Sequence, residues 1–194
     1  MKKPIKVTRK FLEEHYACLD GYKWWVENCE GLSTIEQINK LNEQKYDWAN
    51  WLLVRLMDYK QCVSYAVFVA EQALHIDEEE CLEDKRLREA REAIEAAKRC
   101  IDDPSEENKK SARAVSGGYD SNVYSCVARV AASSDDWVSS FAASAADYAS
   151  RTYAASALYC YLFGDAYQRY SSLRNREIQN KIIQYGISLI QEGV

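Results

Sequence analysis

Residues 59–76 read YKQCVSYAVFVAEQALHI, and this stretch decides the fold class. At helical spacing, Cys62, Val63, Tyr65, Ala66, Val67, Phe68, Val69 and Ala70 put apolar side chains nearly all the way round. A helix with no polar face cannot lie on a surface; it belongs in the centre of a bundle, covered by other helices. Asp58 stands just ahead of it as an N-cap.

Covering helices are written on both sides. Upstream, Trp48, Trp51, Leu52, Val54, Arg55 and Leu56 repeat at the spacing of an amphipathic helix that starts near Asp47. Ser33-Thr34-Ile35-Glu36 has the form of a capping box and opens another helix through Leu41. Thr8 caps a first helix carrying Phe11, Leu12, His15, Tyr16 and Leu19, which Asp20-Gly21 is expected to break or bend. A short helix with Tyr22, Trp24, Trp25 and Val26 follows. Downstream, Asp77 to Glu80 with Glu83-Asp84 reads as an acidic connection. A helix over 86–101 then shows the stripe Leu87, Ala90, Ile94, Ala97 and Ile101, and Pro104 ends it ahead of a restart at Ser105-Glu106-Glu107. Ser116-Gly117-Gly118 is the clearest internal break. Beyond it, 123–132, 135–163 and 165–190 are rich in Ala, Ser and Tyr, a composition in which small residues let helices approach closely.

The expected fold is therefore all-α: one multi-helix bundle over 1–194, with stacked, solenoid-like helix pairs as a variant. Residues 1–44 form an N-terminal helical extension, 45–163 the core and 164–194 a C-terminal helix. The totals agree. In 194 residues, seven Gly and two Pro fall well below usual shares of about 7% and 5%, too few for the tight turns of a sandwich or barrel. A 47% hydrophobic content can fill a core of one-domain size.

The net charge of −5 makes nucleic-acid binding through a basic surface unexpected. The start, MKKPIKVTRKFLEEH, has no apolar signal-peptide core, and no window of spanning length is free of charge. Seven cysteines, an odd and widely spaced set without a CxxC pair, fit reduced thiols in a cytoplasmic protein, most of them core residues. Neither a disulfide framework nor a zinc site is expected.

Chemistry-bearing motifs are missing. His15 and His75 lack HExxH spacing, a Cys nucleophile motif or a GxSxG elbow, and Gly117-Gly118 lacks the rest of a phosphate loop. Glu71 precedes His75 by four residues, not the three of a di-iron pair. No catalytic residue, metal ligand or cofactor is assigned.

Binding residues are easier to nominate. Arg55 and Glu71 interrupt apolar faces, so they either pair with each other across adjacent helices or line a pocket. Trp24 and Trp25 point about 100° apart, so one must face outward; Trp25 is taken as an interface residue, with Trp48 and Trp51 in the core. Asp77, Glu78 and Glu79 form a solvated run or a docking patch for a basic partner. Arg55, Arg88 and Arg151, with Tyr148 among the Tyr series, could hold a nucleotide-like ligand, since guanidinium pairs with phosphate and Tyr stacks on bases.

The stretch DWANWLLVRLMDYKQCVSYAVFVAEQALHIDEEE, followed by DKRLREAREAIEAAKRCIDDPSEEN and an Ala-rich region, resembles the Imm-5-like family of immunity proteins. The likeness rests on Trp48, Trp51, Leu52, Arg55, the apolar helix ending in Glu71, the turn with Asp84, Arg86 and Arg88, and Ala93-Ile94-Glu95-Ala96-Ala97. It spans about residues 45–160. VTRKFLEEHYACLDGYKWW looks like an opening found ahead of phage and mobile-element proteins. The chain departs from the family at HIDEEECLED, where a more apolar, Pro-containing turn is usual.

The resemblance implies a helical protein of bacterial or phage conflict loci that binds and blocks an effector, such as a toxin, nuclease or CRISPR-type defence protein. The expected function is thus a non-enzymatic inhibitor of immunity or anti-defence type, with a protein effector as partner, no membrane, and homo-oligomerisation open. A nucleotide-signal sponge is the alternative, and an enzyme with an unrecognised site the third.

Overall fold

A computed structural model describes residues 6–79, 84–116, 123–133, 138–146, 148–149 and 165–192. They form ten helices and, among the described residues, no strand: α1 (Arg9–Glu14), α2 (Leu19–Asn28), α3 (Thr34–Gln44), α4 (Tyr46–Arg55), α5 (Tyr59–Glu79), α6 (Asp84–Asp102), α7 (Glu106–Val115), α8 (Val123–Ala132), α9 (138–146) and α10 (Asp165–Glu192). The protein is an all-α multi-helix bundle.

Local hydrogen bonds set the helix starts. Thr8 Oγ1 accepts from Phe11 N–H. Ser33 and Glu36 close a reciprocal capping box. Asp58 Oδ1 accepts from Gln61 N–H while Gln61 Oε1 accepts from Asp58 N–H, at 3.0 and 2.9 Å. Ser105 Oγ caps α7. Each satisfies an N–H that the first helical turn leaves without a partner.

The bend between the first two helices lies elsewhere than expected. Asp20-Gly21 sits inside the first turn of α2 and bends nothing. The chain turns at Tyr16, whose φ is +56°. Ala17 N–H donates to Leu12 O and Tyr16 N–H to Glu13 O, at 2.9 and 3.1 Å. That pair of bonds is a Schellman C-cap, and Tyr16 fills the left-handed position that Gly usually takes.

As the apolar pattern requires, α5 is central. It packs against α6, α8 and α10, burying Cys62, Val63, Tyr65, Ala66, Val67, Val69, Ala70 and Ala73. Helices α6 and α8 also touch each other and α7. Because α8 returns to α5, these four helices close on themselves, as in a bundle, instead of stacking open-ended. Helix α3 packs on α4, and α10 lies across α3, α4 and α5. Ile38, Leu41 and Tyr46 belong to the same buried cluster, so the core runs through position 44 without a gap.

Polar side chains reach into the core where neighbours are small. Asn50 Nδ2 donates to Ala143 O, Asn50 Oδ1 accepts from Tyr65 Oη, and Tyr46 Oη donates to Ala146 O. The Ala-rich α9 lets α4 come close enough for these bonds. The seam between α10 and its neighbours is polar as well. Asn42 bonds Asn180, Gln184 bonds Asn39, Lys181 bonds Gln72, and buried Gln61 donates to Leu189 O at 2.6 Å.

Candidate functional site

The early turn at Tyr16 opens a cleft. Because α1 stops at Glu14, the bend leaves a gap between itself, the start of α2 and the outer side of α4. The gap holds about 250 Å³. Its walls are Leu12 and Ala17 from the C-cap, Gly21 and Trp25 from α2, Leu41 from α3, and Trp48, Trp51 and Leu52 from α4. Tyr16, Cys18 and Asp47 complete the lining.

One lining residue, Tyr16, and Leu19 three positions further on are unusually bare for a folded surface. Tyr16 is 91% and Leu19 65% exposed, and they are the exposed large hydrophobics among the described residues. Tyr16 buries almost nothing in return for its left-handed backbone. A side chain other than Gly, Asn or Asp in that region is held at a cost of roughly 1 kcal/mol. Local stability therefore does not account for its ring.

The indoles of α4 are fixed by their surroundings. Trp48 packs against Trp24 with ring centroids 6.0 Å apart at 47°. A Cβ at Gly21 would crowd Cys18 Sγ at 3.1 Å but meet Trp48 Cε2 at an ordinary 3.5 Å, so Trp48 lies close against the backbone of α2. Lys45 Nζ lies 5.2 Å from the Trp48 ring centre, and the Arg55 guanidinium 4.1 Å from that of Trp51. The expectation that Trp48 and Trp51 are core residues is corrected: both are half-buried and wall the cleft.

Trp25, expected at an interface, is 3% exposed, and its Nε1–H donates to Gln37 Oε1 at 2.9 Å. Gln37 is buried too and donates onward to Leu32 O. Of the adjacent pair, Trp24 is the one left half-exposed. Trp25 still borders the cleft, as an inner wall held by its hydrogen bond.

Arg55 and Glu71 do not pair with each other. Arg55 turns back on its own helix, donating to Trp51 O at 2.9 Å while its plane covers the Trp51 ring. Burial pushes its guanidinium down to about 10, so it remains a cation at neutral pH. Glu71 instead meets Lys98 of α6 at 3.0 Å, and Lys98 also holds Glu95 at 2.9 Å. The two carboxylates raise the Lys98 ammonium, Glu95 contributing most. Arg55 finds its partner four residues back on α4, while Glu71 finds its own on α6, which no spacing along the chain announces.

The remaining nominated residues are dispersed. Asp77, Glu78 and Glu79 continue α5 as its last turn, so this part of the acidic run is helical backbone and not a connection. Arg88 is exposed on α6, and Tyr148 is half-buried on helical backbone. Arg151 lies outside the described residues, as do Cys81, Trp137 and Cys160. Cys29, Cys62, Cys100 and Cys126 are buried free thiols, as expected, while Cys18 is exposed beside the cleft.

Among the described residues no group of His, Cys, Asp and Glu could hold a metal ion, and no helix is long and apolar enough to cross a membrane. Comparison with protein-family models, with curated proteins and with solved structures returns no match.

Proposed function

We propose that this chain acts by binding, with the cleft between the Tyr16 bend and α4 as the seat for a partner's side chain. Its role would be that of a non-enzymatic inhibitor, of the immunity or anti-defence type that the Imm-5-like resemblance implies. One observation carries the binding part: an aromatic ring held on strained backbone, almost fully exposed, at the mouth of an apolar cleft. Strain kept without a packing return is the mark of a position shaped by something outside the fold. Trp and Tyr are the anchors that interfaces favour.

Size and charge point to a side-chain guest. About 250 Å³ is less than the roughly 300–1,000 Å³ of sites that enclose whole ligands. The nucleotide-sponge alternative needs cations around phosphate. The described lining of the cleft carries Asp47 and no cation, and Arg55 is engaged with Trp51.

The test is capture from bacterial extract on the wild-type chain and on a Tyr16→Gly/Leu19→Asp variant, followed by co-expression with whatever effector is recovered. The reading expects a partner held by the wild type, released by the variant, and less toxic when the wild-type chain is present. A partner captured equally by both, or no partner at all, removes it.

A further inference from the structure

The cleft has a definite chemistry. Trp48 and Trp51 stand on successive turns of α4, Trp25 faces them from α2, and the Tyr16 ring is at the rim. Leu12 completes an apolar wall. Asp47 is the charged side chain among the described lining residues; it is exposed, and no described residue gives it an ion pair.

An indole face is the negative end of its quadrupole, and it attracts a cation that comes within about 6 Å. The chain itself displays that attraction, since Lys45 sits over Trp48 and Arg55 over Trp51. Neither of those cations lines the cleft. What remains for a guest is an aromatic wall with one free carboxylate beside it. An anion would meet the carboxylate and the negative ring faces. A neutral aliphatic group would leave Asp47 unused. A cation clothed in carbon loses little hydration on entry and gains from both the rings and Asp47.

We infer that the cleft binds an alkylammonium group, such as a trimethylammonium head or an alkylated lysine side chain. The inference rests on the cleft being a binding site, and it names the guest. Trp25, Trp48 and Trp51 supply the box, Tyr16 closes its mouth, and Asp47 supplies the counter-charge.

The test uses the full chain with its Trp indoles labelled with nitrogen-15, titrated with choline and with 3,3-dimethylbutan-1-ol, its uncharged analogue of the same shape. Choline is expected to move the Trp48 and Trp51 indole signals and to bind about tenfold more tightly than the alcohol. Asp47→Asn, a conservative change at an exposed position, should lose most of that preference. Trp48→Leu should keep the alcohol and lose the preference. N-acetyl-trimethyllysine amide separates the sources: tighter binding than choline assigns the guest to a partner's side chain, weaker binding to a free small molecule. Equal affinity for choline and the alcohol overturns the inference. So does an unchanged preference in Asp47→Asn, or unmoved indole signals at about 0.1 M choline, where a millimolar site is full. A chain that prefers choline yet captures no protein loses the inhibitor reading and keeps this one; the opposite pair of results does the reverse.

Discussion

Replacing Gly186 by Ala puts one methyl group where α10 crosses α4 and α5. In an isolated helix the change is stabilising by about 1 kcal/mol, because Gly is a poor helix former. Here the added Cβ would fall inside contact distance of Leu53 Cδ2, 3.1 Å from Leu53 Cγ and 2.9 Å from Tyr65 Cε2. Leu53 and Tyr65 are both fully buried, so neither has open space to move into. Tyr65 is also tethered, since its hydroxyl donates to Asn50 Oδ1 at 2.9 Å and Asn50 donates on to Ala143 O. Overpacking of this kind costs about 1–3 kcal/mol. A strained buried hydrogen bond adds on the order of 1 kcal/mol. Set against the propensity gain, the net expectation is a loss of about 2 kcal/mol, or roughly 4–8 °C in Tm for a chain of this size. Urea unfolding followed by circular dichroism reads it as a lower midpoint at unchanged slope. The cycle with Leu53→Ala sharpens the test. That truncation alone should cost about 2–5 kcal/mol, and Gly186→Ala should then become nearly neutral in its background. A Gly186→Ala variant as stable as the wild type, or more so, would refute the packing of α10 described above.

Tyr16→Gly should stabilise the chain by about 1 kcal/mol, since it relieves the left-handed backbone and gives up no packing; a lower Tm would show that the ring is structural. Tyr65→Phe should cost about 1–3 kcal/mol by leaving Asn50 Oδ1 without its donor in the core, read from urea midpoints. Alkaline pH should weaken the fold in two stages. Burial raises the Cys62 thiol from 9.0 to about 12 and Tyr65 well above 10.0. The folded state then keeps protons that the unfolded state sheds, so stability is full below pH 9 and falls as pH climbs toward 12. In urea titrations across that range, Cys62→Ala should reduce the slope that begins near 9, to which the buried Cys29, Cys100 and Cys126 thiols, also raised by burial, still contribute, and leave the part that begins near 10; an unchanged slope would contradict the burial of the Cys62 thiol. Asp58→Ala should cost about 1 kcal/mol and speed amide exchange at Gln61, whose N–H it caps.

What the sequence determined by itself is what depends on neighbours within about four positions. The caps at Thr8, Ser33 and Ser105, the acceptor at Asp58, and the all-round apolar pattern of 59–76 are of this kind, because a helical turn is closed by residues three or four apart. Composition then left little room for strands, and the centre of the bundle followed from a helix with no polar face. Tertiary structure decided the partners. Trp24 and Trp25 are equivalent as neighbours in the chain, and only packing against Gln37 and Trp48 chose which would go inside. Glu71 needed some cation, and the approach of α6 made it Lys98 in place of Arg55. The bend fell at Tyr16, five residues ahead of Gly21 and against that residue's own backbone preference, at a cost of about 1 kcal/mol that no local pattern foretells. The cleft lies beside that bend. Its walls come from four helices, and no local pattern records a space between elements that only their packing brings together.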